Sequence, residues 1–451
     1  VPRAIEAFID PLNAVVDFFR GPDLPAEVRG TYRRHLSYVI FDAAAAGILA
    51  NAPVMAIKGM GSPDWQMALQ LSISSIGMFL IIHLGGVMAV RRKMPFVLGP
   101  GAAYAICSLL MALTDNVLAF LILLGCGSLF EVILRPAVTA IIRLNYPVEV
   151  RGAAAGEIRK WSSITFLLTG LCASFLLDRV ADSPRWMIKG QMIGAAALSL
   201  IGYWIFSGIK VKETLRGPRR RVTLADTFTQ SWRIISTDAR FRRYLAIGFL
   251  YCFGGLAYVS FVPVFLTKDL HFGYVGASVL IHILPSTLAF ISTGLLGQWI
   301  DRVSTWKAWS WIRLGWGIDP IILALTPLAA DAHVAAIVVL PVLGRLFRGA
   351  VMGGSWILWW QLAVNHFAPP GGDTTRYMGL VLFVNGLSRL AAPLFGALVL
   401  AQFSVVVVLL IGGSIVLLTS ALSAREYARE RNGALPPTMA DFEGHSRPED
   451  F

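Results

Sequence analysis

Seven charged residues lie inside long apolar runs of this 451-residue chain: Asp42, Glu131, Arg135, Asp319, Arg345, Arg348 and Arg389. His83 and His282 add two titratable rings in similar surroundings. A charge at the centre of a hydrocarbon layer costs about 2.5–3.5 kcal/mol on insertion scales, so each of these groups needs a partner or a task. Glu131 and Arg135 are four residues apart, which puts them on one helix face. Pro136 follows directly. It cannot donate a backbone hydrogen bond, and it leaves the Val132 carbonyl free for a ligand or water. Asp42 stands eight residues from Arg34, and Arg135 eight from Arg143. At ~1.5 Å per residue both lie about 12 Å in from those basic residues. Asp42, Glu131 and Arg135 can then form a cluster with one excess negative charge, which one bound proton would cancel. That is the requirement of a proton-coupled carboxyl. The plainer alternative is that Glu131 and Arg135 neutralise each other and only hold their helix in register.

Arg345 and Arg348 are three apart and share a side of their helix. Asp319 lies at a similar depth and can pair with Arg345, which leaves Arg348 the more available. Arg389 has Asn385 one turn away. Guanidinium forks grip carboxylates and phosphates through two parallel hydrogen bonds. Four arginines against three acids in these apolar runs therefore point to an anionic solute.

The elements that must position these groups are set by composition. The chain is 56% hydrophobic and 15% charged, with a mean hydropathy of +0.65, whereas soluble domains carry roughly 25% charged residues. Charge is gathered into short clusters between apolar runs of about 20 residues, the length that spans a ~30 Å hydrocarbon core. Twelve spans are expected, at about 34–58, 64–90, 94–114, 117–143, 152–178, 185–208, 243–267, 274–300, 306–328, 333–366, 375–401 and 404–424. The four cysteines (Cys107, Cys126, Cys172, Cys252) sit singly in apolar runs with no CxxC spacing, so neither a disulfide framework nor a metal site is expected.

Residues 1–33 form a cytoplasmic, amphipathic segment: Ile5, Phe8, Ile9, Leu12, Val15, Val16 and Phe19 recur at helical spacing, and Asp10 and Asp17 exclude a signal-peptide core. Six spans then fill 34–208. A basic linker, 209–242, follows, with Leu224, Phe228, Trp232 and Ile235 as the apolar stripe of a second amphipathic helix. Six more spans fill 243–424, and 425–451 is a disordered tail. With the N-terminus inside, thirty lysines and arginines fall on the inner side and five on the outer, Arg159 and Arg313 being counted among the inner ones. That bias places both ends in the cytoplasm. It also accounts for the net charge of +12 without nucleic-acid binding. Trp299, Trp306, Trp309 and Trp311 cluster near the inner edge and read as an interfacial belt.

The two halves echo each other. "NYPVEVRGAAAG" leaves span 4 with Arg151 and Gly152, and "FAPPGGDTTRYMG" leaves span 10 with Arg376. Gly86 and Arg91 follow span 2 as Gly297, Asp301 and Arg302 follow span 8, and Pro53 and Pro263 lie near the outer ends of spans 1 and 7. A parallel six-plus-six repeat is a transporter architecture. On these residues the chain resembles the major facilitator superfamily over about 34–424. "YPVEVRGAAAG" is similar to that superfamily's loop after span 4, and Gly297, Asp301, Arg302 and Lys307 keep much of its loop signature. Val90 replaces the aspartate in the first copy. The glycine-proline motif of antiporters is missing from span 5, which weakens a drug/proton antiporter reading.

The resemblance implies an all-α polytopic membrane protein of two six-helix bundles, each expected to hold 3+3 inverted repeats. Spans 1, 4, 7 and 10 would line a central cavity, 2, 5, 8 and 11 would flank it, and 3, 6, 9 and 12 would support it. Substrate or coupling candidates are then Asp42, Glu131, Arg135, Arg348, Arg389, Asn385, Tyr251 and Gln361. Asn51, Tyr258, Trp356, Trp359 and Trp360 fall on the same helices. Gly86, Arg91, Arg151, Gly152, Gly297, Asp301, Arg302 and Arg376 are the latch and loop candidates. Asp319 with Arg345 becomes a structural pair, span 9 being a supporting helix.

The function expected is secondary active transport of a small solute across the cytoplasmic membrane by alternating access, proton-coupled and for an organic anion. The alternatives are a lipid, lysolipid or drug exporter on the same fold and, remotely, a membrane enzyme. No HExxH, GxSxG or paired Cys/His set supports an enzyme, and no GxxxxGK[ST] supports a pump. No cofactor or metal is expected. The expected partners are a small-molecule substrate, the proton as coupling ion and the bilayer, with no nucleic acid and a monomeric state.

Overall fold

The structure is a computed structural model and describes residues 24–89, 91–180, 184–213, 234–330, 333–359, 367 and 374–432. Twelve long helices stand among them: α1 Ala26–Gly59, α2 Met67–Ala89, α3 Pro95–Leu113, α4 Val117–Asn145, α5 Val148–Arg179, α6 Pro184–Ser207, α7 Ala239–Asp269, α8 Tyr274–Ile300, α9 Thr305–Ala330, α10 Ala336–Ile357, α11 Thr374–Gln402 and α12 Val405–Arg431. All but α2 meet the length and apolarity of a membrane span over described residues. At ~1.5 Å per residue the 23 residues of α2 also reach across a hydrocarbon core. After twelve crossings both ends of the described chain emerge on one face, here the terminal face; the other is the distal face.

Local chemistry sets the helix ends. Asn116 caps α4 by accepting a hydrogen bond from the Ala119 amide at 3.1 Å, and Asp238 caps α7 by accepting from the Phe241 amide at 2.8 Å. Helices α1 and α7 each pass a proline, Pro53 and Pro263, and finish in a π-helical turn, Met55–Gly59 and Phe265–Asp269. A third π turn, Val279–Ile283, interrupts α8 at His282. Such turns add one residue to a helix and re-aim the side chains beyond it.

Packing repeats between the halves with an offset of six helices. In the first half α1 packs on α5 and α6, α4 on α2 and α3, and α3 on α6; in the second α7 packs on α11 and α12, α10 on α8 and α9, and α9 on α12. Closely apposed backbones hold the equivalent seams. A Cβ on Gly47 of α1 would stand 2.5 Å from the Phe166 carbonyl of α5, and one on Gly396 of α11 would stand 2.3 Å from the Ala257 carbonyl of α7. Small residues at such crossings replace the hydrophobic drive that lipid cannot supply.

The halves meet along α2–α11 and α5–α8. Their polar bridges gather toward the distal side. Asp178, at the end of α5, accepts from the Tyr274 and Val275 amides at the start of α8, both at 2.8 Å. Lys58 donates to the Phe272 carbonyl at 2.9 Å, and Lys268 donates to the Ser62 carbonyl at 3.1 Å and to the Asp64 carboxylate. Nearer the middle, Ser72 of α2 donates to the Leu390 carbonyl of α11, and the Phe79 and Phe383 rings meet edge to face.

Three sequence expectations change here. Arg159 was counted as an inner-surface charge, yet it lies eleven residues into α5, about 16 Å deep. Its guanidinium crosses between the halves to sit 4.8 Å over the Trp356 ring of α10. Arg313, counted likewise, is fully buried between α7, α9 and α12. Trp306 and Trp309 are 1% and 0% exposed and belong to the core of the second half, whereas Trp311 is exposed as a belt residue would be. A helix that starts earlier than its apolar run carries flanking residues inside, and apolar count alone cannot show this. Residues 1–23 and 214–233 lie outside the described residues, and with them both expected amphipathic helices, apart from Ile234–Thr237, where Ile235 packs on the second half's core.

Candidate functional site

Glu131 is the central residue of the 29-residue helix α4, so its charge is as far from either surface as that helix allows. Its carboxylate pairs with Arg135 one turn on. The two side chains are 31% and 64% exposed despite that depth, so they face open space rather than packed side chains. Arg389 of α11, in the other half, lies within electrostatic reach of both. So do Arg159 for Arg135 and Asp42 for the whole pair. Asp42 from α1, the Glu131–Arg135 pair from α4, Arg159 from α5 and Arg389 from α11 are thus electrostatic neighbours contributed by both halves.

Asp42 does not bond Arg135. Its Oδ1 accepts from the Tyr203 hydroxyl of α6 at 3.2 Å, beside Tyr38 and Tyr104. Tyr203 packs across Gly101 of α3, whose Cβ would stand 2.7 Å from the ring. The expected triad is therefore a close ion pair with a second, tyrosine-bound carboxyl nearby. Tyr203 went unseen in the sequence because nothing in its spacing relates it to Asp42; only the packing of α1 on α6 does.

The second half holds a larger charged group. Arg345 donates to Asp319 Oδ2 at 2.7 Å, and both are buried. Arg348 approaches the same oxygen only to 3.8 Å, while its guanidinium stacks 4.5 Å over the Trp316 ring. One carboxylate oxygen is thus divided between two cations, and the Arg348 Nε has no acceptor among the described residues. Tyr251 stands at the centre of an aromatic wall, 6.3 Å from the Trp316 and Trp359 rings and 6.0 Å from Trp309. Arg313 lies behind it, 5.2 Å from the Tyr251 ring and 4.6 Å from Trp309, donating to the Ser423 hydroxyl with no acid beside it among the described residues. Asn385 accepts from the Cys252 thiol at 3.4 Å, and its own amide donors lack an acceptor among the described residues.

His282, aimed by the π turn in α8, hydrogen-bonds the Ala50 carbonyl of α1 and meets the Phe166 ring of α5 edge-on. Asn51, counted among cavity candidates, is instead buried in the α1–α5 seam: it donates to the Gly170 carbonyl at 3.0 Å and accepts from Ser174 at 3.0 Å. Tyr258 is fully buried. Trp360 and Gln361 lie outside the described residues. Of the latch candidates, Gly86 lies in the last turns of α2, Arg91 is exposed just beyond it, and Arg151, Gly152 and Arg376 lie in the first turns of α5 and α11. Gly297 is in the last turn of α8, with Asp301 and Arg302 exposed after it. All eight are at the terminal face, away from the distal bridges.

Two equivalent bundles, a charged mid-depth cavity between them and bridges on one face are the geometry of a carrier. The sequence profile of the Major Facilitator Superfamily matches residues 35–393. The chain belongs to the major facilitator superfamily. Solved structures agree in fold. A bacterial homolog of the human lysosomal transporter Spinster, in its inward-facing unoccupied conformation, has 14% identity and a TM-score of 0.63, covering 89% of this chain and 99% of that one. A D-xylose–proton symporter has 14% identity and a TM-score of 0.63, covering 88% and 97%. The nucleoside transporter NupG has 13% identity and a TM-score of 0.61, covering 88% and 98%. No curated protein sequence matches the chain significantly. This member of the superfamily is a multi-pass secondary transporter that works by alternating access, not an enzyme.

Proposed function

We propose that the solute carried is an organic anion, that a proton accompanies it through the Glu131 and Asp42 carboxyls, and that the protein is a monomer of the cytoplasmic membrane with both ends in the cytoplasm. The observation that carries the anion reading is the charge balance of the interior. Among the described residues five arginines (Arg135, Arg159, Arg345, Arg348, Arg389) face three acids (Asp42, Glu131, Asp319) in the mid-depth group and the α9–α10 cluster, the Glu157–Lys160 pair of α5 being neutral within itself. Unbalanced cations in a low-dielectric site are costly, and an anionic ligand that supplies the missing charge gains what they lose.

Proton coupling is supported by Glu131 standing within reach of cations from both halves. Movement of one half against the other changes which of these cations the carboxylate faces. The D-xylose–proton symporter of the same fold is a proton-coupled carrier by name. The inner-side excess of basic residues supports cytoplasmic termini. With that orientation the distal bridges close the outer side, and the cavity faces the cytoplasm.

The test is uptake by proteoliposomes of a panel of organic acids, sugars and amines, with and without an inward proton gradient. Acids are expected to accumulate and the gradient to accelerate them. Glu131→Gln is expected to lose gradient-driven accumulation while keeping solute exchange at equilibrium. Gradient-driven uptake that survives in Glu131→Gln would remove Glu131 from the coupling step.

A further inference from the structure

We infer that the anion is aromatic: its ring stacks on the wall formed by Trp316, Tyr251 and Trp359, and its carboxylate or phosphate is held by Arg348. This deepens, and rests on, the organic-anion reading above. Three observations carry it. Arg348 shares its counter-ion. The Asp319 Oδ2 that lies 3.8 Å from Arg348 is held more closely by Arg345, at 2.7 Å, so one carboxylate serves two cations, and among the described residues the Arg348 Nε has no acceptor. Arg348 is also pre-aimed. Its guanidinium is stacked 4.5 Å over Trp316, so the planar fork is fixed before a ligand arrives, and its side chain remains partly open.

The third observation is the character of the surface beside it. Trp316 and Trp359 are only half-buried, and both lie 6.3 Å from Tyr251 at interplanar angles of 85° and 48°. Rings crossed at such angles present faces and edges together, and a planar ring can meet both. An aliphatic chain would gain burial there but no ring–ring geometry. Ring pairs of this kind favour binding by up to about tenfold beyond buried area. Asn385, one turn from Arg389 on α11, has amide donors with no acceptor among the described residues, available to a second polar group on the ligand.

Calorimetric titration of the purified full chain with three probes tests the assignment: 2-naphthoate, its saturated analogue decahydro-2-naphthoate, and 2-naphthylmethylamine. The saturated acid is the more apolar, so burial alone favours it. The expected result is that 2-naphthoate binds about tenfold more tightly than the saturated acid and that the amine does not bind. Trp316→Leu should abolish the preference between the two acids, and Trp316→Phe, which keeps a ring, should retain it. Arg348→Gln should weaken both acids together. Equal affinity for the two acids would overturn the aromatic assignment and leave the organic-anion reading standing. Tighter binding of the amine, or no binding by either acid, would overturn both.

Discussion

At the scale of single residues, the buried charges divide into two kinds with opposite mutational behaviour. Among the described residues Asp319 is the sole carboxylate against Arg345 and Arg348 in its cluster. Asp319→Asn leaves two cations without an acid, and breaking a buried pair from one side costs about 3–5 kcal/mol. A large drop in Tm of the purified protein is expected, and an unchanged Tm would show that the cluster is not a buried ion pair. Arg313 is the reverse case, a buried cation with a hydroxyl and two rings for company. An apolar residue of similar length avoids the desolvation cost, so Arg313→Met is expected to keep or raise Tm in the same melt. The sequence made part of this legible. Spacing alone paired Glu131 with Arg135, and matched depths paired Asp319 with Arg345. It hid Arg313, Arg159 and Tyr203, because the partner of a side chain three helices away depends on how each helix is rotated about its axis.

At the scale of elements, the seams α1–α5 and α7–α11 carry the same device, a glycine where the backbones all but touch. Gly396 is the tighter against main chain, 2.3 Å from its Cβ position to the Ala257 carbonyl, an obstacle that cannot rotate aside. Gly396→Val is therefore expected to separate α7 from α11, at more than the 1–3 kcal/mol typical of an overpacked site. Loss of the monodisperse peak in gel filtration would report it; a normal elution profile and Tm would mean the seam is looser than drawn. The number and order of helices were readable from apolar runs, and their six-plus-six correspondence from the loop motifs after spans 2, 4, 8 and 10. The helix ends were less so. α1 begins at Ala26 and α12 runs to Arg431, each beyond its apolar run, because amphipathic turns extend a helix past the hydrocarbon without a hydropathy signal.

At the scale of the whole molecule, the distal bridges hold one of the two states that alternating access requires. Asp178→Ala removes the two amide bonds to α8, each worth about 1.5–3 kcal/mol when one partner is charged. The expected outcome is a shift toward the state open on the distal face, read as a longer distance between spin labels at Trp65 and Asp269. An unchanged distance distribution would mean that Lys58 and Lys268 hold the closure alone. The make-up of this lock also constrains how it can change. One side is a carboxylate, and the other is main chain, whose amides every residue but proline supplies. Charge-swap pairs, which restore a salt bridge by exchanging its ends, have nothing to exchange at Asp178. The second place where a substitution can act is Gly273, where a Cβ would stand 3.1 Å from the Asp178 carboxylate and wedge the joint apart. Selection for altered gating, in nature or in the laboratory, is thus confined at this joint to Asp178 for charge, Gly273 for volume and a proline at Tyr274 or Val275 for the amides, and revertants of an Asp178 defect should arise at the neighbouring lysine bridges instead.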